Sequence, residues 1–357
     1  MKILQVITSL HIGGAEKLIT EIAPLLRAKG HEVDILAIDG DKTYFLDTLL
    51  SQGFKVITLG EKCNPYHPKF LFKIIGIMRN YDIVHTHLTS AQLFVAIGSL
   101  FSRKPALFTT EHNTTNRRRD SKLYWLFDKW MYSRYKKVIC ISDKTYENLD
   151  RYMPGMKNLC LIYNGVNIRR FRDAKALQEK NSTGKTIVTM VAAFRPQKDH
   201  KTLIKAMKRL PKERFELWIV GDGELHDEIH SYVEEMNMSD SVVFWGNRPD
   251  IPEILHASDI IVLSSHYEGL SLSSIEGMSV GKPFIATDVD GLHEIVVDAG
   301  ILVPHLDEIT LANEILRLDT DKSYYDDIAN RCWQKAQSYD IVKMVDEYES
   351  LYQTNSK

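Results

Sequence analysis

The sequence predicts two α/β domains, each built on a parallel sheet with helices on both faces. Both halves alternate short β-branched runs with amphipathic helical stretches, which is the pattern of parallel sheets. The first runs are Lys2–Thr8 and Thr186–Val191. Between the halves, residues 167–185 are charged and contain no strand pattern, as expected of a linker. We therefore expect a first domain over 1–166 and a second over 186–338.

The composition narrows the class of protein. A chain of 357 residues can hold two domains with separate cores, and a formal charge of −2 excludes a global basic surface for nucleic acid. The cysteines are far apart and form no C-x-x-C pair, which argues against a zinc ribbon or a disulfide framework and favours a reducing compartment. No run approaches a membrane span, and the apolar start is too short for a signal peptide. We expect a cytoplasmic protein. The cysteines are Cys63, Cys140, Cys160 and Cys332.

The first half begins with a strand, a glycine loop and a helix. Gly13 and Gly14 follow the strand Lys2–Thr8, and a helix is predicted over Glu16–Lys29. Glycines let a backbone approach a phosphate or sugar closely, although a tight turn would also use them. The loop is not G-x-G-x-x-G, so dinucleotide binding is weakly supported. Further elements are predicted at Val33–Ile38, Val56–Leu59, Lys69–Arg79, Ile83–His87, Ala106–Thr110, Val138–Ser142, Asp143–Arg151 and Leu159–Tyr163.

Three histidines lie in or directly after strands of the first half. His85 and His87 are expected to face opposite sides of their strand, which favours a structural role for His85. His87 ends its strand, where open α/β sheets bind ligands. His112 follows the strand Ala106–Thr110 and is either an ordinary loop residue or part of a site.

The segment Arg117–Lys137 is strongly basic and rich in aromatic residues. One predicted helical face is shared by Leu123, Leu126, Phe127, Trp130 and Met131. One interpretation is a helix packed on the core with a solvated basic face. The other is a helix that lies on an anionic membrane surface, with aromatic residues at the interface. Both remain open at this point.

The second half repeats the strand-loop-helix pattern. Arg195 and Lys198 precede a predicted helix Thr202–Arg209, and such cations can clamp a pyrophosphate. Gly221 follows a strand Phe215–Val220, where a turn alone would explain it. Other predicted elements are Leu225–Glu235, Val242–Gly246, Ile251–Ala257 and a C-terminal helix at about 339–357.

The stretch from Ser264 to Glu294 carries the clearest pattern. After the strand Ile260–Leu263 come Glu268 and Glu276, eight positions apart, with a helix predicted to run to about Val280. Serines 271, 273 and 274 offer capping side chains, and the helix N-terminus suits a phosphate. Glu276 would then accept hydrogen bonds from sugar hydroxyls. A solvated glutamate on an ordinary Rossmann helix explains the spacing equally well.

The residues of this stretch resemble glycosyltransferase family 4. Glu268-Gly269-Leu270, then Glu276, then Gly-Lys-Pro-Phe-Ile-Ala from Gly281 and Gly-Leu-His-Glu from Gly291 match that family's motifs. The resemblance covers nearly the whole chain and adds Gly-Gly-Ala-Glu at 13–16, the run 82–87, Thr-Thr-Glu-His at 109–112 and Asn-Gly-Val at 164–166.

The resemblance implies a GT-B fold, in which two Rossmann-like domains face a cleft and a C-terminal helix returns to the first domain. It implies a retaining glycosyltransferase that moves a sugar from a nucleotide-sugar, expected to be a UDP-sugar, to a saccharide or lipid-linked acceptor of surface glycans. Such enzymes often dock on membranes, so the protein is expected to be peripheral on the inner face. They need no metal or other cofactor, and none is expected.

The same resemblance assigns roles to individual residues. Glu268 would hold hydroxyls of the transferred sugar, Glu276 the ribose, and Lys198 the pyrophosphate. Gly14 and His112 would close over the sugar, and Gly221 would lie near the nucleotide. Ala192-Ala193 stands where relatives have Gly-Arg, which puts Arg195 in doubt, and Ser271 stands where relatives often have glycine. The expected catalytic residues are His112 and Glu268, and the expected donor-binding residues are Gly13, Gly14, Arg195, Lys198, Gly221, Asn247, Arg248, Gly269, Leu270, Ser271, Leu272 and Glu276.

A front-face displacement is favoured over a double displacement through Glu268. Three alternatives stay open: a UDP-sugar epimerase of the same fold, a non-catalytic nucleotide-sugar-binding subunit, and an NAD(P)-dependent oxidoreductase. The missing G-x-G-x-x-G counts against the last.

Overall fold

The computed structural model describes residues 1–11, 13–62, 64–102, 104–112, 121–177 and 184–355, with the backbone alone at 122 and 123. The chain divides into two compact units. The first unit contains residues up to Asn164 together with those from Ile341 onward, and the second runs from Gly165 to Asp340. None of the helices in these described ranges is long and apolar enough to cross a bilayer.

The first unit is built on a seven-stranded parallel sheet with the order β3-β2-β1-β4-β5-β6-β7. Central strand β1 pairs with β2 on one side and β4 on the other, so the direction of the strand order reverses there. In open α/β sheets, ligands bind at the carboxyl ends of the strands at such a switch point. The strands are β1 Lys2–Ile7, β2 Glu32–Asp39, β3 Lys55–Gly60, β4 Ile83–His87, β5 Ala106–Glu111, β6 Lys137–Cys140 and β7 Leu159–Leu161.

Helices cover both faces of the first sheet and enclose a core on each. One face is covered by α1 Gly14–Ala28, α2 Tyr44–Ser51 and α15 Ile341–Asn355. The C-terminal helix belongs to this unit because its apolar stripe, including Tyr348 and Tyr352, is buried against the sheet. The other face is covered by α3 Lys69–Met78, α4 Thr89–Gly98, α5 Lys122–Ser133 and α6 Asp143–Tyr152.

The second unit repeats this topology with six parallel strands in the order β10-β9-β8-β11-β12-β13. Its switch point lies between β8 and β11. The sequence runs that predicted β8 to β11 have the same bounds in the structure. The strands are β8 Thr186–Val191, β9 Phe215–Val220, β10 Val242–Gly246, β11 Ile260–Leu263, β12 Phe284–Thr287 and β13 Ile301–Val303.

The helices of the second unit include one within the expected linker. Residues 167–185 contain α7 Ile168–Arg172, and its Ile168 and Phe171 are buried in the core of the second unit. This part of the segment is therefore packed structure, because two apolar side chains bury on one helical face. Residues 178–183 lie outside the described ranges. The other helices are α8 His200–Lys208, α9 His226–Glu235, α10 Ile251–Ala257, α11 Leu272–Met278, α12 His293–Val296, α13 Glu308–Thr320 and α14 Lys322–Gln337.

Candidate active site

At the switch point of the second sheet, the loop after β8 is joined to the loop after β11. Lys198 and Ser265 form an isolated antiparallel bridge. The backbone N–H of Asp199 donates to the carbonyl of Ser264 at 2.9 Å. These bonds bring together two segments that are far apart in the sequence, at the edge of the sheet where ligands bind.

The carboxylate of Glu268 is held by side chains from both loops. It forms an ion pair with the Lys198 ammonium and accepts from Ser265 Oγ at 2.9 Å and from Gln197 Nε2 at 3.1 Å. The Glu268 side chain is only 8% exposed. The structure thus brings the predicted residues Lys198 and Glu268 together and adds Gln197 and Ser265, which no sequence motif indicated.

The turn that carries Glu268 is packed backbone to backbone against a second turn. The N–H of Glu268 donates to the carbonyl of Asp290 at 3.0 Å. Gly291 has a φ of +83°, and a Cβ there would overlap the carbonyl oxygens of Gly269 and Glu268. Only glycine combines this conformation with such a close approach. The Gly-Leu-His-Glu motif therefore begins with a residue that positions Glu268.

A cavity of about 290 Å³ lies beside this turn. It brings together predicted residues from three separate segments, namely Lys198, Gly221, and the adjacent pair Asn247 and Arg248. Gly221 has a φ of +138°, and a Cβ there would overlap the Ala192 carbonyl oxygen, so the glycine allows the loops after β8 and β9 to touch. The remaining lining residues are Val191, Ala192, Ala193, Val220, Ile251 and Ser273.

Helix α11 borders the cavity through Ser273. Glu276, three residues later, lies on the same helical side and is 8% exposed. The helix ends at Met278 rather than at the predicted Val280, and Ser279 is its C-cap residue. The Ser279 hydroxyl donates to the Glu276 carbonyl at 2.7 Å. Glu276 is thus a mostly buried carboxylate one turn into the helix, which is unlike a solvated capping glutamate.

Ser271 precedes α11, but its side chain does not cap the helix. Its hydroxyl accepts from Ser274 Oγ at 2.9 Å and lies 3.2 Å from Ser273 Oγ, without a bond to a backbone N–H. The expectation of serine caps is wrong, because the hydroxyls bond to each other instead. Ser271 is 4% exposed, so its side chain is turned inward.

The two candidate arginines have different surroundings. Arg195 is exposed, does not line the cavity, and makes no side-chain hydrogen bond or ion pair within the described residues. Arg248 donates through Nε to Asp250 at 2.7 Å and lies 5.0 Å from the centroid of the Trp245 ring. That hydrogen bond lowers the pKa of Asp250 below its usual value. The Arg248 guanidinium is thus engaged by neighbours in its own segment.

In the first unit, His112 lies at the end of a chain of hydrogen bonds. Nδ1 of His87 is 3.0 Å from Nε2 of His112, and Nε2 of His87 is 2.9 Å from Oε1 of Gln5. The amide oxygen can only accept, so His87 donates through Nε2 and accepts through Nδ1 from Nε2–H of His112. Nδ1 of His112 is left as an acceptor. The predicted histidine is therefore oriented by His87 and by Gln5, which the sequence did not indicate.

His85 and His87 lie on the same side of β4. Their rings stack with centroids 4.5 Å apart. The expectation that they face opposite sides is wrong, because residues two apart in a strand point the same way. His85 Nδ1 is 2.6 Å from the Tyr352 hydroxyl and its Nε2 is 2.8 Å from Thr110 Oγ1. Both ring nitrogens are thus used inside the core, which favours a structural role.

Burial keeps these histidines neutral. Desolvation lowers the pKa of His85 to about 3 and that of His112 to about 4, and the pKa of His87 is well below its usual value for the same reason. A ring that is neutral at physiological pH offers one donor and one acceptor. His112 is therefore suited to hydrogen bonding with a ligand hydroxyl rather than to electrostatic binding of a phosphate.

The backbone conformation at Gly13 and Gly14 does not require glycine. Neither Gly13 nor Gly14 has a positive φ. A Cβ at Gly14 would meet nothing within 4 Å, so packing does not require glycine there. A Cβ at Gly13 would meet the Glu16 carboxylate, a mostly buried group whose pKa is raised by burial. Open space at Gly14 is the feature expected where a ligand approaches the backbone.

Comparison with known proteins assigns the class. Residues 12–170 match the model described as Glycosyltransferase Family 4, and residues 171–337 match Glycosyl transferases group 1. In structure, the chain is similar to Anabaena HepE in complex with UDP, with a TM-score of 0.85 at 22% identity, covering 99% of this chain and 100% of that one. The predicted GT-B fold is thereby confirmed.

Similar sequences include an Escherichia coli protein named UDP-Gal:alpha-D-GlcNAc-diphosphoundecaprenol alpha-1,3-galactosyltransferase. It is 30% identical over 304 residues, which are 79% of this chain and 77% of that protein. N-acetyl-alpha-D-glucosaminyl L-malate synthase of Bacillus anthracis is 24% identical over 96% of this chain and 94% of its own length. The chain belongs to the family-4 glycosyltransferases, and the prediction of a transferase is confirmed.

Proposed function

We propose that the protein is a retaining glycosyltransferase that moves a sugar from a UDP-sugar to a lipid-linked saccharide in glycan biosynthesis. The observation that carries the proposal is the cavity of the second unit. Its lining joins a cation, Lys198, a tightly packed Gly221, and the backbone of Asn247 and Arg248 at the switch point of a Rossmann-like sheet. A nucleoside diphosphate needs this combination of a cation and exposed backbone groups.

Each predicted residue of the second unit then has a distinct role. Lys198 binds the diphosphate, and the backbone at Asn247 and Arg248 contacts the base. Glu276 accepts from the ribose hydroxyls, and Glu268 from hydroxyls of the transferred sugar. Gly269, Leu270, Ser271 and Leu272 supply backbone next to the diphosphate, while Arg195, free of side-chain partners among the described residues, contributes at most long-range attraction. Gly13, Gly14 and His112 of the first unit take part in the transfer step.

The identity of donor and acceptor is supported by the relatives. The E. coli relative is named for UDP-Gal and for an acceptor with a diphosphoundecaprenol anchor. A Campylobacter jejuni relative, 24% identical over 98% of this chain, also has a PP-undecaprenol acceptor in its name. HepE was crystallised with UDP. We infer a UDP-sugar and a saccharide carried on a polyprenyl diphosphate.

A front-face displacement accounts for retention. Glu268 is hydrogen bonded to Gln197 and Ser265 and paired with Lys198, so its electron pairs are engaged. A carboxylate so occupied is a poor nucleophile for a double displacement. In a front-face reaction, the bond between the anomeric carbon and the diphosphate oxygen breaks while the acceptor oxygen adds on the same face. The acceptor proton passes to the departing phosphate, which Lys198 stabilises.

We also propose that the diphosphate is bound without a metal. Of the three Asp-x-Asp runs in the sequence, at 39–41, 288–290 and 319–321, Asp288-Val289-Asp290 is the one packed against Glu268. Asp288 accepts from Nδ1 of His293 at 2.6 Å, and the backbone of Asp290 holds Glu268. The run therefore has a structural use beside the site, and Lys198 supplies the positive charge.

The proposal is tested by offering UDP-hexoses and UDP-N-acetylhexosamines with polyprenyl diphosphate GlcNAc as acceptor, and with EDTA in a parallel set. The expected result is a disaccharide-lipid whose new linkage has the anomeric configuration of the donor by NMR, formed equally with EDTA. A product of inverted configuration contradicts retention. Interconversion of UDP-sugars without acceptor indicates an epimerase, and donor binding with no transfer to any lipid-linked acceptor indicates a binding subunit.

We propose in addition that the first unit docks on an anionic membrane surface at the cytoplasmic face through α5. Tyr124, Leu126 and Phe127 of this helix are 49%, 62% and 36% exposed, beside the exposed Lys129 and Lys136. Exposed aromatic and apolar residues flanked by lysines suit the interface of anionic lipid. On the same side of the first sheet, Phe72 and Phe101 are 76% and 61% exposed. Residues 113–120, with Arg117, Arg118 and Arg119, lie outside the described ranges.

The core-packed alternative for this helix holds for part of it only. Met131 and Tyr132 are buried, whereas Leu126 and Phe127 are not.

Co-sedimentation with phosphatidylglycerol vesicles, compared with phosphatidylcholine vesicles, tests the docking. The variant Leu126→Glu is expected to lose most of the pelleted fraction, and Leu50→Glu, an equally apolar and 50% exposed residue on α2 at the opposite side of the sheet, is expected to keep it. Failure of the wild type to pellet with both lipids contradicts the proposal.

A further inference from the structure

A cluster of three metal-binding side chains lies next to, but outside, the cavity of the second unit. It consists of Asp199 after β8, His266 after β11 and His305 after β13, and we name it the Asp-His-His cluster. One ligand atom from each residue lies within 4.8 Å of the other two. Nδ1 of His266 is 2.7 Å from Nε2 of His305. None of the three residues lines the cavity or holds Glu268.

Asp199 has an unsatisfied oxygen. Its Oδ1 accepts from the N–H of Thr202 at 3.2 Å and caps α8. Its Oδ2 is buried and has no hydrogen-bond partner among the described residues, and the residue is 7% exposed. A buried carboxylate oxygen without a partner costs free energy, unless a cation or a donor is bound to it.

We propose that Asp199, His266 and His305 bind one divalent transition-metal ion, of the chemistry of Zn²⁺. Imidazole nitrogens select Zn²⁺ and its neighbours over Mg²⁺ or Ca²⁺, which take oxygen ligands. Three protein ligands leave a fourth position for water in a tetrahedral site. None of these three residues lines the proposed donor-binding cavity, so metal binding is a property additional to the proposed sugar transfer.

The separation of the two histidine nitrogens is close to that required by a bound ion. With metal–nitrogen bonds of about 2.0–2.1 Å, two nitrogens of a tetrahedral site lie roughly 3.3 Å apart. The rings of His266 and His305 therefore need to separate by about half an ångström from their 2.7 Å contact. Both residues are exposed, so their side chains can make this adjustment. At the 2.7 Å separation, one ring donates a hydrogen bond to the other.

Metal binding would connect three loops. His266 is two residues before Glu268, and its N–H donates to the carbonyl of Gln197 at 2.9 Å. Asp199 directly follows Lys198, and His305 adds the turn after β13. An ion at the Asp-His-His cluster would thus fix the two loops that carry Lys198 and Glu268 to a third part of the sheet edge. Because the ion binds the folded state, it also stabilises the protein against unfolding.

The test uses the full-length chain without a polyhistidine tag. Binding of Co²⁺ is followed by its visible absorption, which reports tetrahedral nitrogen and oxygen ligation, and Zn²⁺ binding by calorimetry and thermal unfolding. The expected result is one ion per chain for each metal, with a rise in Tm on addition of Zn²⁺. The variants His305→Ala and Asp199→Asn are expected to weaken binding at least tenfold and to lose the rise in Tm.

Two controls make the result specific. His293→Ala removes an exposed histidine that pairs with a single carboxylate, Asp288, and is expected to bind metal like the wild type. His11→Ala removes the centre of another group of possible ligands, His11 with Asp39 and Asp41, and is likewise expected to keep the stoichiometry. Equal binding by His305→Ala and the wild type, or loss of the ion in His11→Ala alone, overturns the proposal.

Folding of the variants is separable from metal binding. His305 is exposed, and an Asn at 199 keeps an amide oxygen that can cap α8. The metal-free Tm of both variants is therefore expected to remain within a few degrees of the wild type. A variant whose metal-free Tm is unchanged and which still shows the full Zn²⁺-dependent rise contradicts the assignment of its ligand.

Discussion

Lys198 and Glu268, which are 70 positions apart, form a mostly buried ion pair. Both residues have roles in donor binding under the proposed function. A diphosphate that approaches Lys198 must therefore compete with the Glu268 carboxylate. The sugar hydroxyls can compensate, because they donate to the carboxylate as the ammonium turns to the phosphate. The pair thus keeps two charged groups satisfied until the donor arrives.

Removing Lys198 should affect the diphosphate and leave nucleoside recognition intact. A hydrogen bond to a charged group contributes about 1.5–3 kcal/mol, so Lys198→Ala is expected to weaken UDP binding by roughly 10- to 100-fold and uridine binding hardly at all. Calorimetric titration with both ligands measures this. Lys201→Ala, which breaks the exposed pair of Lys201 with Glu228, serves as the control and is expected to bind both like the wild type. Equal loss of uridine and UDP binding in Lys198→Ala would contradict the assignment.

Glu276 should show the opposite pattern. If its carboxylate accepts from the ribose hydroxyls, Glu276→Gln is expected to weaken uridine and UDP to the same degree, by about tenfold, since both contain ribose. Calorimetry with the same two ligands measures this. The control is Glu228→Gln, an exposed glutamate of α9. An unchanged affinity for uridine would remove Glu276 from the ribose site.

Gly291 should be required for the position of Glu268. Gly291→Ala places a side chain at an unfavourable positive φ and makes its Cβ overlap the carbonyl oxygens of Glu268 and Gly269. The strain of the positive φ alone costs about 1–2 kcal/mol. Because the overlap adds to this strain and displaces the turn that carries Glu268, the variant is expected to lose more stability than that and to lose most transfer activity. Chemical denaturation and initial rates measure the two effects.

The matched control for Gly291 is Gly281→Ala. Gly281 has a similar φ of +68°, but a Cβ there would meet nothing within 4 Å. This variant should lose about 1–2 kcal/mol of unfolding free energy and retain activity. Similar activities in both variants would show that the backbone contact does not position Glu268.

The buried histidines of the first unit should make stability depend on pH. Burial lowers the folded-state pKa of His85 to about 3 and of His112 to about 4, and that of His87 is also lowered. The unfolded chain therefore binds more protons below a pH of about 6.5, and the free energy of unfolding falls as pH falls through this range. Each such histidine contributes up to about 1.4 kcal/mol per pH unit.

Variants isolate this contribution from that of the carboxylates. In His87→Gln, the free energy of unfolding is expected to fall less steeply between about pH 6.5 and pH 4.5 than in the wild type. The difference in slope should correspond to close to one bound proton, measured by urea denaturation at several pH values. His293 provides the contrast, because the carboxylate of Asp288 raises its pKa. Its removal should change the slope mainly above about pH 6.5, where the folded protein keeps this proton and the unfolded chain loses it, and hardly at all between pH 6.5 and pH 4.5. An unchanged slope in His87→Gln would mean that His87 is protonated in the folded protein.

The sequence by itself determined the repeated pattern of strands and helices. Strands such as Ile260–Leu263 are continuous apolar runs, and helix ends are marked by residues such as Gly281, so the signals are local and readable. The motif with Glu268 and Glu276 likewise indicated the family and the candidate donor site. The backbone direction of α11 follows from these local rules, although the bonding of Ser271 does not.

Only the tertiary structure decided which side chains meet. Gln197 and Ser265 contact Glu268 because the parallel strands β8 and β11 are neighbours in the sheet. Local sequence patterns do not determine the order of strands in a sheet. The same holds for His112 with His87, and for the Asp-His-His cluster, whose members follow three different strands. Local periodicity sets which face a residue lies on. The pairing of distant segments depends on how whole elements bury their apolar faces, and that is a property of the folded chain.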